Sequence, residues 1–265
     1  ARNLRAAKAL YQELLDSYPL DYYGFLARRR LLELGETVAL DALLSLPVPE
    51  GDPPPTRPEP EAARFYRELG LIGDAERIHR ETLPDDRRLR IAFYLKRRDA
   101  RAGFLVARAD PALRSKLEPS TRFVFDAAYP RPHQSIVERE LRRSNGVPME
   151  WIYATMRQES GYDARAVSRA GARGLLQLMP ATAAELAKER GMKNYDRSKL
   201  FDAETNLTLG IMMMTRLASR YGGNLVLMAA GYNAGPGRVR RWLESFGGAD
   251  LDLFVRVEGC PRGLL

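Results

Sequence analysis

The chain has 265 residues, 45% of them hydrophobic and 29% charged, a net charge of +8 and one cysteine, Cys260. That is enough apolar mass for one large or two ordinary domains, and it excludes global disorder and an internal disulfide. No apolar run approaches the roughly 20 residues that span a bilayer. The opening ARNLRAAKAL has no initiator Met and no signal-peptide core, so the sequence reads as a mature form or a fragment.

Helical spacing is visible from the start. LRAAKALYQELLDSYP sets Ala7, Leu10, Tyr11, Leu14 and Leu15 on one face and is stopped by Pro19. DYYGFLARRRLLELG reads as a second helix closed by Gly35, and TVALDALLSL as a short third, giving a helical segment over 1–46. Pro47 to Pro60 holds seven prolines in fourteen residues and reads as a stiff connector. Residues 61–128 return to short helix pairs of the kind that build α-solenoids, without a clean repeat. YPRPHQ, residues 129–134, is a second proline-rich joint that opens a domain over 129–265. Strand signals are almost absent, and the expected class is all-α.

Beyond the joint, a helix over 134–144 ends at Asn145-Gly146, and Pro148 sits in the first turn of the next. Thr182-x-x-Glu185 resembles a capping box for a helix ending at Gly191. Asp202 is placed to cap a long helix striped by Leu207, Ile211, Met214, Ala218 and Tyr221 and ended by Gly222-Gly223. NLVLMAAGYN reads as a short buried helix, and PGRVRRWLESFGG as an amphipathic one opened by Pro236. The Met-rich IMMMT reads as core.

The charge is uneven: from Pro130 on there are 20 Lys and Arg against 14 Asp and Glu, whereas the first 129 residues hold 22 against 20. Such an excess suits nucleic acid, anionic lipid or an anionic cell-wall glycan, and equally an arginine-rich soluble domain.

Within MRQESGYD, Glu159 stands in the last turn of a helix, where negative charge is disfavoured, and shares a face with Ile152, Thr155 and Met156. Lost solvation and the negative helix end both favour the neutral acid and raise the pKa. A carboxylic acid kept protonated near neutral pH is what a general acid requires, and lysozyme holds a Glu in an apolar pocket for this purpose. The bland alternative is a Glu ion-paired to Arg157 or Arg173. SRAGARGLLQLMPATA then supplies small residues at 170–172 and 174, an amide at Gln177 and a hydroxyl at Thr182. GYNAGPGRV places Tyr232 and Asn233 among glycines, suited to stack on and hydrogen-bond a sugar. Asp163 lies past the Gly161 helix stop and reads as a turn residue. One acid thus stands without a clear carboxylate partner, whereas most glycosidases use two.

MRQESGYDARAVSRAGARGLLQLMPATA followed by GYNAGPGRVRRW resembles the catalytic domain of the soluble lytic transglycosylases, a goose-lysozyme-like branch of the lysozyme superfamily. The resemblance covers about 130–246, and DYYGFLARRRL is more weakly similar to the end of that family's α-superhelical domain and its linker. It implies a superhelix and linker remnant followed by a lysozyme-like α domain. It also implies non-hydrolytic cleavage of the MurNAc-β-1,4-GlcNAc bond of peptidoglycan, leaving 1,6-anhydro ends, with Glu159 as acid and then base. Ser160, Ser168, Gln177, Met179, Tyr232 and Asn233 match positions lining the cleft. Neither metal nor cofactor is implied; His79 and His133 form no ligand cluster. The implied partners are peptidoglycan glycan strands and proteins of cell-wall synthesis or remodelling, not nucleic acid. The implied protein is a monomer in the periplasm or bacterial envelope.

The sequence departs from the family's pattern at Leu176, where GLMQ is usual, and at Gly231, where AYNAG is usual; both read as minor. The end, LFVRVEGCPRGLL, puts Arg256 where Glu is expected and reads as truncated. Two alternatives follow: a non-catalytic peptidoglycan-binding or scaffold protein, and a hydrolytic muramidase. A basic helical-repeat protein that binds nucleic acid fits the charge but leaves the pattern from Glu159 to Asn233 unexplained.

Overall fold

A computed structural model describes residues 2–17, 22–37, 59–82, 87–114, 118–144 and 146–245. The third helix expected within 37–46, most of the proline-rich stretch and the altered tail lie outside the described residues. The chain divides into two compact units, Ala1–Pro130 and Arg131–Leu265. The fold is all-α: among the described residues there is no strand, only isolated bridges pairing Val167 with Arg173 and Arg173 with Leu178.

In the first unit, α1 (Arg2–Ser17) packs on α2 (Tyr22–Glu33), and α3 (Glu61–Glu68) on α4 (Ile72–Thr82). Helices α5 (Arg87–Lys96), α6 (Ala100–Ala107) and α7 (Arg122–Ala128) pack on one another. Their core joins Ile91, Phe93 and Tyr94 to Val106, Phe123 and Val124. The Asp99 carboxylate caps α6 by accepting the Ala102 N–H at 3.0 Å. Glu59 is buried, yet both its oxygens accept from Arg67 at 3.1 Å, and Arg97 lies 3.1 Å away. Burial alone would raise its pKa; the Arg67 hydrogen bonds and the charges of Arg97, Arg67 and His79 outweigh that and hold it below the ordinary value.

In the second unit the order is α8 (Gln134–Leu141), α9 (Met149–Glu159), α10 (Pro180–Glu189), α11 (Ala203–Tyr221), α12 (Leu225–Ala234) and α13 (Pro236–Ser245). The long α11 is the spine: α8, α10, α12 and a 3₁₀ turn over Arg197–Phe201 all pack on it. Asp202 caps α11 through the Thr205 N–H at 2.8 Å, and Gly222, at φ +58°, ends it in the left-handed conformation. Asn224 caps α12 through the Leu227 N–H at 3.2 Å. Of the Met-rich run expected as core, Ile211 and Met214 are buried, while Met212 and Met213 are only half-buried. One core cluster joins Leu178, Leu186, Leu200 and Leu209; another joins Leu217, Ala218 and Met228 to Trp151, Tyr221 and Tyr232.

Three local expectations are corrected. Pro148 is the N-cap of α9 rather than a residue of its first turn. Thr182 does not cap α10: Pro180, with its φ preset for helix and no N–H to satisfy, starts the helix two residues earlier, and Met179 stands at the cap. Helix α12 is not wholly buried. Only Met228 and Gly231 are, while Leu225 is 48% and Val226 39% exposed, because the helix is apolar all round but is covered on one side. No helix among the described residues is long and apolar enough to cross a membrane.

Candidate active site

Helix α9 buries the face that the 3.6-residue period predicts: Ile152 and Met156 are fully buried and Thr155 nearly so. Thr155 donates its hydroxyl to the Trp151 carbonyl at 2.8 Å, and Ser160 donates to the Met156 carbonyl at 3.1 Å, closing the last turn. Glu159 projects from that turn half-buried. Burial pushes its carboxyl above the ordinary range. Among the described residues no hydrogen bond or ion pair holds this carboxyl, so neither Arg157 nor Arg173 neutralises it. Asp163 is a turn residue, accepting the Arg165 N–H at 2.9 Å.

The segment from Val167 to Leu178 folds back beside this helix end as a tight loop. Arg173 and Leu178 exchange backbone hydrogen bonds at 3.0 and 3.1 Å. Gly174 is required twice over: its φ is +77°, and a Cβ there would collide with the Leu200 carbonyl and the Asn206 amide. Asn206, fully buried on α11, accepts the Leu176 N–H and donates to the carbonyls of Arg173 and Leu200, each at 2.9 Å. One side-chain amide thereby satisfies three buried backbone groups and fixes the loop to the spine.

Tyr232 closes the arrangement. Its hydroxyl donates to the Leu176 carbonyl at 2.7 Å, and its ring meets Trp151 edge-on, with centroids 6.2 Å apart. Burial, and then the charge of Glu159, raise the pKa of the phenol, so it stays a neutral donor within electrostatic reach of the carboxyl.

The predicted residues separate into groups. Tyr232 lies within electrostatic reach of Glu159, whereas the Ser160 hydroxyl turns back to the Met156 carbonyl. Gln177 braces the loop from within: at φ +46°, its amide donates to the carbonyls of Ala166 at 3.1 Å and Gly174 at 2.9 Å. Ser168 accepts the Ala172 N–H at 3.0 Å from an exposed position. Met179 is 44% exposed and Asn233 is exposed. Among the described residues no hydrogen bond ties Ser168, Met179 or Asn233 to Glu159. Sequence reasoning passed over Asn206 and Trp151. The available signal for Asn206 was an amide set against the apolar stripe of α11. Among the described residues, no group of three or more His, Cys, Asp or Glu is placed to hold a metal ion.

Residues 137–255 match the family model of the transglycosylase SLT domain. The soluble lytic murein transglycosylase of Escherichia coli K12 is 37% identical over 116 residues, which cover 43% of this chain and 18% of that protein. Lytic transglycosylase Slt of Pseudomonas aeruginosa, solved as an inactive Glu-to-Gln mutant, matches with a TM-score of 0.65 at 28% identity, covering 89% of this chain and 37% of its own. The 70-kDa soluble lytic transglycosylase SLT70 of Escherichia coli matches with a TM-score of 0.73 over 99% of this chain and 41% of its own; at 22% identity that likeness is one of fold. The chain spans less than half the length of these relatives.

Proposed function

We propose that this chain, which carries a transglycosylase SLT domain over residues 137–255, is a peptidoglycan lytic transglycosylase of the bacterial envelope with Glu159 as its single acid and base. The observation that carries the reading is the state of that carboxyl. Burial raises its pKa, and among the described residues no hydrogen bond or ion pair holds it. A two-carboxylate hydrolase requires a second acid across the scissile bond, and Asp163, the nearest carboxylate in sequence, is engaged in a turn by the Arg165 N–H.

The chemistry follows from a protonated acid in a partly dry site. Glu159 donates its proton to the glycosidic oxygen as the C1–O4 bond breaks, and the muramoyl 2-acetamido group stabilises the positive charge developing at C1. The Glu159 carboxylate then removes the proton of the muramoyl 6-hydroxyl, whose oxygen bonds to C1. One C–O bond is broken and one formed, the proton returns to Glu159, and no water is consumed. General acid–base assistance of this kind contributes on the order of 10²–10⁴ in rate. Tyr232, held neutral and donating to Leu176, supports the reading as a wall of the cleft rather than as a second acid. Ser168, Gln177, Met179 and Asn233 complete the proposed glycan-binding surface.

The test is mass spectrometry of muropeptides released from purified sacculi by the wild type and by Glu159→Gln. The expected products are anhydromuramoyl species, absent with the variant. Reducing-end products would replace this reading with a hydrolase. Sacculus binding without products would replace it with a binder.

A further inference from the structure

A second concavity in the Arg131–Leu265 unit shares no residue with the Glu159 site. It has a volume of about 750 Å³ and runs along α11 between the C-terminal ends of α8 and α10. At about 100° per residue, its α11 lining residues Thr208, Met212, Thr215 and Ser219 stand opposite Gly210, which faces Leu176, and Leu217, which packs on Met228. The cavity and the Glu159 loop therefore lie on opposite faces of one helix.

Four arginines line this cavity: Arg143, Arg190, Arg216 and Arg220. Two are committed. Arg190 binds the buried Glu140 at 2.8 Å, and Arg216 pairs with Glu189. The other two are not satisfied in this way. Arg143 reaches Glu140 only at 3.8 Å and is 59% exposed, and Arg220 makes no ion pair among the described residues. Positive charge is thus left over at the rim of a concave surface whose floor includes the apolar Ile211 and Met212.

A second, independent observation points into the cavity. Hydroxyls in a helix interior commonly bond back to the carbonyl one turn earlier. Thr215 does so with Ile211 at 2.8 Å, and Ser144 with Glu140 at 2.9 Å. Thr208 lines the same cavity, is only 6% exposed, and makes no hydrogen bond among the described residues. The Thr208 oxygen is not sealed from solvent, so it opens on the cavity and is available to a ligand there.

We infer that this cavity is a binding site for a short peptide bearing free carboxylates, held by Arg143 and Arg220 at its rim and by the Thr208 hydroxyl within. The guanidinium fork suits a planar carboxylate. The apolar floor suits a peptide chain between its acidic groups better than a phosphate polymer. The inference is independent of the reading of Glu159, because the two sites share no residue.

Fluorescence anisotropy with fluorescein-labelled tetraglutamate tests it on the full chain. The expected result is saturable binding that is weakened about tenfold or more in Arg143→Ala/Arg220→Ala, as the loss of charge-assisted hydrogen bonds predicts. Thr208→Val, which keeps the shape, weakens it less. Glu159→Gln binds as the wild type does. Both arginines are exposed, so the double variant keeps its fold, checked by an unchanged melting curve. No saturable binding, equal binding by the double variant, or loss of binding in Glu159→Gln alone would each overturn the inference. Binding of inorganic polyphosphate in place of the peptide would overturn its carboxylate assignment.

Discussion

The Tyr232 hydroxyl donates to the Leu176 carbonyl across 56 residues of sequence, at 2.7 Å. This bond ties the C-terminal half of α12 to the loop beside Glu159. Tyr232→Phe removes it and leaves the carbonyl of the buried Leu176 short of a donor. The expected destabilisation is about 1 kcal/mol. The acid itself is untouched, so the loss in activity should fall mainly on KM. Thermal unfolding and steady-state kinetics check the two halves of the statement.

The raised pKa of Glu159 has a signed consequence for stability. As pH rises past the ordinary carboxylate value of 4.5, the unfolded chain loses this proton while the native chain keeps it. The native state then binds more protons, and Glu159 lowers stability as pH climbs through the window up to its raised native value. Glu159→Gln removes that penalty. The variant should melt at a higher temperature than the wild type at pH 7, and the difference should vanish below pH 4.5. The wild type's first chemical step needs the protonated acid, so activity should fall as pH rises above the native pKa. A pH series of melting curves, with a pH–rate profile, measures both.

Gly231 is buried where α12 packs on α11. A Cβ there would sit 2.8 Å from the Tyr221 ring and 2.9 Å from the Leu217 side chain. Gly231→Ala should therefore cost about 1–3 kcal/mol as an overpacked contact, although alanine is the better helix former. Denaturant unfolding reads the sign directly: a stabilised variant would mean that the α11–α12 contact yields.

Asn206→Ala strips three hydrogen bonds from the loop at once. Buried backbone groups left unpaired cost about 1–3 kcal/mol each. Fast amide exchange at Leu176, whose N–H Asn206 accepts, should accompany a large loss of stability. Unchanged protection at Leu176 would show that another group holds the loop.

Much of this site was legible because its signals are local. The buried face of α9 follows from spacing alone, and of the loop's small residues Gly174 marks a close approach of backbone, whereas Gly171 has open space around it. What sequence did not show depends on contacts made at a distance. Asn206 reaches Leu176 across 30 residues, and only the fold brings the two together. The apparent capping box at Thr182 failed because Pro180 offered a stronger start two residues earlier. The exposed side of α12 was misjudged because composition records how apolar a helix is, not how many of its faces are covered. The two carboxylates Glu59 and Glu140, both buried and both bound by arginine, show why a buried Glu alone does not mark a site. Glu159 differs in having no such partner among the described residues.

The central claim is that Glu159 works without water as a reactant. Digestion of purified sacculi in H₂¹⁸O, followed by mass spectrometry of the released muropeptides, tests it most directly. The account predicts anhydromuramoyl ends that carry no ¹⁸O, formed by the wild type and not by Glu159→Gln. Reducing ends bearing one ¹⁸O would contradict it, because water would then have attacked C1.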